Sequence, residues 1–405
     1  MKTLIKIAWR NIWRNKLRSS VVILSIILGI WAGLFIMAMT LGLNEQRING
    51  AIDTYLSHIQ IHHPGYLDDP NIKSTLSEVD KLEQIAGSIP EIKAYGKRIL
   101  ATGMANSAGG AYGVQIIGIN PVNERILTSI HQQLTEGSYF QKYKKNPVII
   151  GKKLADKLHL KVRSKLVASI QNINNDIITS SFRVEGIYQT NNSVFDESSI
   201  FVREGDLRKI TGLMEGYHEV AIRCKSIDQT DAVLDRLHRE ITRDKVEGWK
   251  DIAPELGYAQ EMMSSMIYLF MGIVLLALAF SIINTMLMAV LERKKELGML
   301  MAIGMNKWRI FSMITLETLF IAMIATPIGM LLSWGVIAYF QRHGIDLSMV
   351  AEGLSSLGVG SKIYTFLPTK EYWIITLMTL VVAFLSSLFP ARRALKLRPT
   401  EAIST

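Results

Sequence analysis

The sequence predicts an integral membrane protein with four transmembrane α-helices and a large α+β extracytoplasmic domain between the first and second helices. Four apolar stretches are each long enough to cross a hydrocarbon core of about 30 Å at about 1.5 Å per residue. The long segment between the first two stretches has the mixed composition of a folded soluble domain. The excess positive charge of the chain lies only at the flanks of the apolar stretches.

The four predicted spans are residues 20–43, 267–291, 310–340 and 372–389. The first two contain no charged residue, whereas the third contains Glu317 and Pro327. The fourth opens on an aromatic pair, Tyr372 and Trp373, as is typical of the membrane interface. The first span could also be the core of a signal peptide, but its apolar run is about twice the usual length of such a core. We therefore expect it to be retained.

The charge of the chain is divided unequally along its length. The 405 residues carry a net charge of +10, but residues 44–265 hold 27 Lys and Arg against 28 Asp and Glu. The other segments hold 18 basic and 7 acidic residues. Because all of the excess flanks the spans, it indicates orientation in a membrane and not a nucleic-acid-binding surface. We expect no nucleic-acid partner, and the membrane lipids are the predicted surroundings.

Both termini are predicted to lie in the cytoplasm. The N-terminal arm (residues 1–19), the loop after the second span and the tail (residues 390–405) are rich in Lys and Arg, whereas the loop 341–371 balances three basic against three acidic residues. The positive-inside rule places the first three segments in the cytoplasm, and an even number of spans agrees. The arm also has the pattern of an amphipathic helix on the membrane surface. The chain is expected to cross the membrane several times.

Residues 44–265 are predicted to form the α+β domain. Alternating segments predict strands at 57–62, 114–119, 148–150, 165–170, 182–188 and 219–225, and helical periodicity predicts helices at 79–88, 151–160, 206–213 and 230–242. The elements do not follow a βαβ order, so a doubly wound nucleotide-binding sheet is not expected. Residues 266–405 are predicted to form a second domain that contains the other three spans.

Few residues suggest catalysis or metal binding. His58, His62 and His63 are close in sequence, but neighbouring strand positions face opposite sides of a sheet, which disfavours a metal site. The single cysteine, Cys224, lies in an alternating pattern that predicts a buried strand residue. Glu317 is either a gate or a contact to a partner helix, or a protonated or snorkelling residue near the cytoplasmic face. We expect no catalytic, metal or cofactor site on this chain.

The segment 292–305, directly after the second span, is the strongest candidate for a functional site. Its charged start and its apolar residues at 297, 300, 301 and 303 predict a short helix along the membrane surface, which Gly304 would end. A solvated run of charges is the alternative, but the mixed apolar face favours docking into a partner. We therefore predict a coupling helix at this position.

Three motifs resemble the FtsX/MacB-type permeases of ABC transporters. The ERKKELGMLMAIGM stretch at 292–305 is similar to the family's E-R-x-x-E-x-G-x-x-x-A-x-G motif. The tail FPARRALKLRPTEAI at 389–403 resembles the P-A-R-R-A…P-x-E-A-[IL] ending of the family, and AWRNIWRNKLR at 8–18 is typical of its opening. Shorter matches at 113–121 and 194–197 are similar to the lipoprotein-releasing LolC/LolE branch.

The resemblance implies a mechanism in which this chain does not itself hydrolyse ATP. A separate ABC ATPase subunit would bind ATP and receive the coupling helix, and a second permease chain, identical or homologous, would complete the transporter. The implied coupling residues are Glu292, Arg293, Lys294, Glu296, Gly298, Ala302 and Gly304, and the implied tail motif is Pro390, Ala391, Arg392 and Arg393. The extracytoplasmic domain would then push its substrate or hand it over, in place of an aqueous pore.

Three functions are compatible with this arrangement. The first is release of lipoproteins from the inner membrane, with a periplasmic lipoprotein chaperone as an additional partner. The second is MacB-like export of hydrophobic drugs, peptides or lipid-linked cargo. The third is signalling, in which the same lever controls a cell-wall hydrolase or reports an antimicrobial peptide. The sequence alone leaves the cargo, the identity of the ATPase and the choice between one or two kinds of permease chain open.

Overall fold

The protein is described from a computed structural model, which covers residues 2–142 and 145–395. The described helices, in chain order, are α1 (Lys2–Arg14), α2 (Lys16–Ala51), α3 (Val79–Ser88), α4 (Pro121–Leu127), α5 (Lys152–Lys157), α6 (Ser193–Ser198), α7 (Glu204–Thr211), α8 (Thr230–Glu240), α9 (Trp249–Ile252), α10 (Pro254–Glu292), α11 (Lys294–Ala302), α12 (Lys307–His343), α13 (Ala351–Ser356) and α14 (Thr369–Leu395).

The described strands are β1 (Ile59–His62), β2 (Ile92–Ser107), β3 (Gly110–Ile119), β4 (Leu134–Gly137), β5 (Pro147–Gly151), β6 (Lys165–Gln171), β7 (Ile177–Tyr188), β8 (Ser199–Arg203), β9 (Glu219–Cys224), β10 (Lys245–Gly248), β11 (Ile345–Asp346) and β12 (Lys362–Ile363). A single π-helical turn, Ile52–Leu56, follows α2.

The chain divides into two compact units. The transmembrane unit comprises Met1–Asn44, Glu261–Asp346 and Lys362–Thr405, and the α+β unit comprises Glu45–Gln260 and Leu347–Ser361. The segment Leu347–Ser361 differs from the sequence-based division, which placed it with the spans in residues 266–405. Within the α+β unit, a Cβ atom added at Gly360 would lie 3.0 Å from Oδ1 of Asn191, so the backbone at Gly360 lies against the Asn191 side chain.

The four predicted transmembrane helices are confirmed. Within the described residues, α2, α10, α12 and α14 are long and apolar enough to cross a membrane. Each helix is longer than its apolar stretch, because polar turns continue it at both ends. The fourth helix does not end at residue 389 as predicted; it continues through Pro390 to Leu395. Residues 396–405, with the last part of the tail motif, lie outside the described residues.

Small residues allow the transmembrane helices to approach one another. A Cβ atom added at Gly29 of α2 would lie 2.6 Å from Cδ2 of Leu278 on α10, and one at Gly329 of α12 would lie 3.2 Å from Cβ of Ile30. Close backbone approach through small residues is the usual basis of helix packing in membranes. Ala8 and Ile12 of α1 are fully buried in the same apolar core, so the arm packs against the spans.

The α+β unit is built on a ten-stranded mixed sheet. The strand order is β10-β1-β9-β2-β3-β8-β5-β7-β4, and β6 pairs with both β2 and β7. The pairs β3–β8 and β5–β7 are parallel, and the other pairs are antiparallel. Because β6 joins β2 to β7, the strands β2, β3, β8, β5, β7 and β6 form a closed ring. The interior of this ring holds one apolar core, which includes Ile116, Val148 and Phe182. A second core lies where β1, β9 and β10 meet α3 and α8.

His58, His62 and Cys224 each contact another group of the α+β unit. His58 accepts a hydrogen bond at Nδ1 from the backbone N–H of Cys224, at 3.2 Å. Burial, together with the charge of Arg223, lowers the pKa of His58 to about 4. His62 lies 3.2 Å from Glu219. Within residues 2–142 and 145–395, no cluster of His, Cys, Asp or Glu side chains could hold a metal ion.

A buried ion-pair network joins β2 to α4 and β9. The guanidinium of Arg98 donates to Glu124 at 2.7 Å and to Glu219 at 2.7 Å, and all three side chains are at most 6% exposed. Burial alone would raise the pKa of Glu219, but Arg98 and His62 outweigh it and lower that pKa. Arg98 therefore keeps the buried carboxylate of Glu219 ionised, and it also donates to the buried Glu124.

We predict that Arg98→Met destabilises the protein by about 3–5 kcal/mol, because it leaves Glu124 and Glu219 without their buried counter-charge. Thermal and denaturant unfolding of the purified full chain in detergent would measure the loss. The matched control is Arg236→Met, which removes an exposed helix pair with Glu240 and should cost no more than about 0.5 kcal/mol. Equal effects of the two variants would contradict a structural role for the buried network.

Candidate functional site: the coupling segment and its charge cluster

The coupling segment lies between the second and third transmembrane helices. Helix α10 ends at Glu292, Arg293 interrupts the helical path, and α11 runs from Lys294 to Ala302. Gly304 has φ of +92°, a backbone conformation that glycine adopts most readily, and this confirms the prediction that Gly304 ends the helix. The next helix begins at once, because Oδ1 of Asn306 accepts a hydrogen bond from the backbone N–H of Trp308 at 3.1 Å.

The two faces of α11 differ in exposure. Leu297 and Gly298 are buried against the transmembrane unit. On the opposite face, Met299 is 57% exposed and Ile303, just beyond the helix, is 79% exposed. Lys295 lies four residues before Met299 and is also exposed, so these three positions share one side of the segment. Exposed apolar side chains with a neighbouring charge are typical of a protein-binding surface.

Glu317 lies at the centre of a cluster of charged side chains. Its carboxylate is 3% exposed, and it accepts hydrogen bonds from Arg293 at 3.1 and 3.3 Å. Arg18 approaches the same carboxylate at 3.5 Å. Since Glu317 is seven residues into the predicted span 310–340, about 10 Å along the helix axis, the two arginines provide counter-charge for a carboxylate inside the span. In place of the snorkelling residue that the sequence allowed, the structure shows a buried carboxylate that two arginines of the same chain contact.

The outer part of the cluster ties the arm to the coupling segment. Arg14 donates to both carboxylate oxygens of Glu296 at 2.5 and 2.7 Å, and Arg293 donates to Glu296 at 3.2 Å. Arg18 also donates to Glu292 at 3.2 Å. The hydrogen bond from Arg14 holds the pKa of Glu296 below its usual value, against the opposing effect of burial, and Arg293 adds to the shift. Glu296 therefore stays ionised well below neutral pH.

The charge cluster consists of three arginines and three glutamates: Arg14, Arg18, Arg293, Glu292, Glu296 and Glu317. These residues come from four segments, namely the arm where α1 meets α2, the end of α10, the start of α11, and α12. Arg18 and Arg293 each bridge the buried and exposed carboxylates. A displacement of α11 must either break these ion pairs or move the neighbouring segments with it.

The predicted coupling residues occupy different environments. The structure brings Glu292, Arg293 and Glu296 together in the charge cluster, and it leaves Ala302 and Gly304 exposed. Lys294 is half-buried, and Gly298 is buried. Of the predicted tail motif, Pro390 and Ala391 are buried within α14, whereas Arg392 and Arg393 are exposed on it.

Sequence reasoning missed the role of Arg14 and Arg18. Both were assigned to the positive flank of the first span and to the opening motif at 8–18, without an ion-pair partner. The sequence did contain an indication of this role. A carboxylate at membrane depth requires a partner, and the nearest basic residues are those at the cytoplasmic ends of the spans. The choice of Arg14 and Arg18 among the basic residues of the arm depends on how α1 packs against α12, which the sequence pattern does not specify.

We predict that Glu317→Gln lowers the stability of the full chain by about 3 kcal/mol, because Arg18 and Arg293 lose their buried counter-ion. The midpoint of thermal unfolding in detergent would report the change. The control is Glu292→Gln, a change at a carboxylate that is 51% exposed, for which we expect about 0–1 kcal/mol. A Glu317→Gln variant as stable as the wild type would show that the ion pair does not hold α12 in place.

Comparisons with known proteins agree with this arrangement. The MacB-like periplasmic core domain model matches residues 19–240, and the FtsX-like permease C-terminal model matches residues 268–399. The lipoprotein-releasing system transmembrane protein LolC of Neisseria meningitidis is 23% identical over 94% of this chain and 92% of its own length. The corresponding LolE of Haemophilus influenzae is 23% identical over 100% of both chains. The macrolide export ATP-binding/permease protein MacB of Agrobacterium fabrum is 23% identical over 100% of this chain and 61% of its own length. The chain belongs to the family of ABC transporter permeases that combine a MacB-like periplasmic core domain with an FtsX-like permease C-terminal domain.

Proposed function

We propose that this chain is the permease subunit of an ATP-driven transporter that releases lipoproteins from the bacterial inner membrane. The observation that carries the proposal is the match to two lipoprotein-releasing permeases over at least 94% of this chain. The arrangement of four spans and one large α+β domain is compatible with a cargo that is handed over outside the bilayer. Both termini lie in the cytoplasm in this proposal, on the basis of the positive flanks.

The coupling segment is the proposed entry point for the ATP-driven motion. A separate ABC ATPase binds ATP and docks on the exposed face formed by Lys295, Met299 and Ile303. The buried side of α11 and the charge cluster pass the displacement to the arm and to α12. The start of α11 directly follows α10, so the same displacement reaches the second transmembrane helix. This division of labour leaves the permease chain without a bound cofactor.

The α+β unit is the proposed cargo-handling part, on the extracytoplasmic side. Helix α10 is continuous from Pro254 to Glu292, and an unbroken helix transmits an axial or tilting movement with little loss, because bending would strain its backbone hydrogen bonds. A second permease chain, identical or homologous, supplies the other half of the transporter. A periplasmic lipoprotein chaperone then receives the cargo.

Export of a hydrophobic compound is the second candidate function. The match of the MacB-like core domain to residues 19–240 favours it, as does the similarity to a macrolide exporter over the whole of this chain. Affinity purification of the tagged full chain from membranes separates the candidates. A periplasmic lipoprotein chaperone supports release, and an outer-membrane efflux channel with its adaptor supports export. A cell-wall hydrolase or a sensor kinase in the purified complex would instead support signalling.

We predict that Met299→Asp cuts ATP-dependent lipoprotein release about tenfold or more, because a charge at the centre of an apolar contact weakens docking of the ATPase. The readout is release from proteoliposomes that contain the permease and the ATPase that copurifies with it. A change at Met299 tests docking more specifically than a change at Gly298. A larger side chain at the buried Gly298 would also disturb packing within this chain.

The matched control is Met349→Asp, at a fully exposed residue of the α+β unit. It should insert, bind the ATPase and release lipoprotein as the wild type does. Full release by Met299→Asp would exclude this face as the ATPase contact. Loss of release with unchanged ATPase binding would move the coupling role elsewhere in the chain.

A further inference from the structure

A long groove lies between the third and fourth transmembrane helices. It follows α12 from Pro327 to Gln341 and α14 from Thr369 to Thr376, and its volume is about 810 Å³. The stretch of α12 is about 21 Å long at 1.5 Å per residue, which is somewhat more than one leaflet of a hydrocarbon core of about 30 Å. The volume lies in the range of natural ligand sites, about 300–1,000 Å³.

The polarity of the groove changes along its length. Gln341 and Thr369 lie at one end, where α12 ends and α14 begins. Toward the other end the walls are apolar, with Met330, Leu331 and Pro327. Thr376 adds no free polar group there, because its hydroxyl donates to the carbonyl of Tyr372 at 2.7 Å. A molecule that fits this gradient has a polar group at the mouth and a hydrocarbon chain in the depth.

The surroundings of the groove favour a membrane lipid. Trp334 and Trp373 are 61% and 69% exposed on helices that cross the membrane, so the bilayer and not water covers them. The lipids that surround these helices supply acyl chains along the whole length of the groove. One acyl chain is a slim occupant of the same length.

Two basic residues are sequence neighbours of the residues at the polar mouth. Arg342 follows Gln341 and is exposed. Lys370 follows Thr369, its side chain is 72% exposed, and its nearest carboxylate oxygen, on Glu371, is 3.9 Å away. Exposed basic side chains beside a membrane groove attract anionic lipid headgroups, with about 1 kcal/mol for each charge. The mouth is thus complementary to a phosphate with a net negative charge.

We infer that this groove is a binding site for an anionic phospholipid, with one acyl chain between α12 and α14 and the phosphate beside Arg342 and Lys370. The inference is independent of the cargo and of the ATPase contact, because the groove lies away from the coupling segment, at the opposite end of α12. The proposed site holds one specific lipid, in contrast to the lipids that surround the transmembrane unit without a fixed site.

Native mass spectrometry of the purified full chain tests the site, with added phosphatidylglycerol or phosphatidylcholine of the same acyl chains as probes. We expect tighter retention of one phosphatidylglycerol molecule. Arg342→Gln and Lys370→Gln should each lower this preference about fivefold. Ala338→Trp places a large side chain in the groove and should weaken retention of both lipids. The matched control is Ala277→Trp, at an exposed position on α10, which should leave retention unchanged.

Three outcomes would overturn the assignment. Equal retention of the two lipids by the wild type would remove the anionic headgroup from the site. Equal effects of Ala338→Trp and Ala277→Trp would place the retained lipid outside the groove. A synthetic diacylated lipopeptide that displaces phosphatidylglycerol from the wild type, with tighter binding than the phospholipid, would make the groove a cargo site.

Discussion

The buried carboxylate of Glu317 inside the third transmembrane helix, paired with two arginines, is the constraint on which the cytoplasmic end of the molecule depends. A charge at this depth is costly unless it is paired, and its two partners come from elsewhere in the chain. Arg18 belongs to the start of the first transmembrane helix, and Arg293 belongs to the turn between α10 and α11. The position of the coupling segment is therefore fixed by a residue that does not belong to it.

This constraint ties the arm, the coupling segment and the third helix to one another. Arg18 and Arg293 each pair with one buried and one exposed glutamate. The same two guanidinium groups therefore form both the buried and the exposed ion pairs. Apolar contacts add to the link, since Ala8 and Ile12 of the arm belong to the core of the spans. The exposed side of the coupling segment makes none of these contacts and remains open to a partner. The α+β unit has its own buried ion pairs, around Arg98.

The membrane architecture could be predicted from the sequence because its causes are local. Length and hydropathy fix the spans, and a glycine at residue 304 fixes the end of the coupling helix. The strand β2 was missed, although it is the longest in the sheet, because Ile92–Ser107 mixes charged residues and glycines and lacks a simple alternation. Its stability comes from pairing with β3, β6 and β9, which are distant in sequence. The same reason applies to the charge cluster, because Arg18, one partner of Glu317, lies nearly 300 residues away in sequence.

The most direct test of the account is a double-mutant cycle at the outer ion pair, with the variants Arg14→Glu, Glu296→Arg and the combination of both. The measured quantity is the amount of lipoprotein released per ATP hydrolysed in proteoliposomes with the copurified ATPase. If the charge cluster transmits the motion, each single variant hydrolyses ATP with reduced release, and the double variant recovers much of the loss because the pair is restored in reverse. A double variant that is as defective as the two single changes added together would show that the arm and the coupling segment are not linked through this pair.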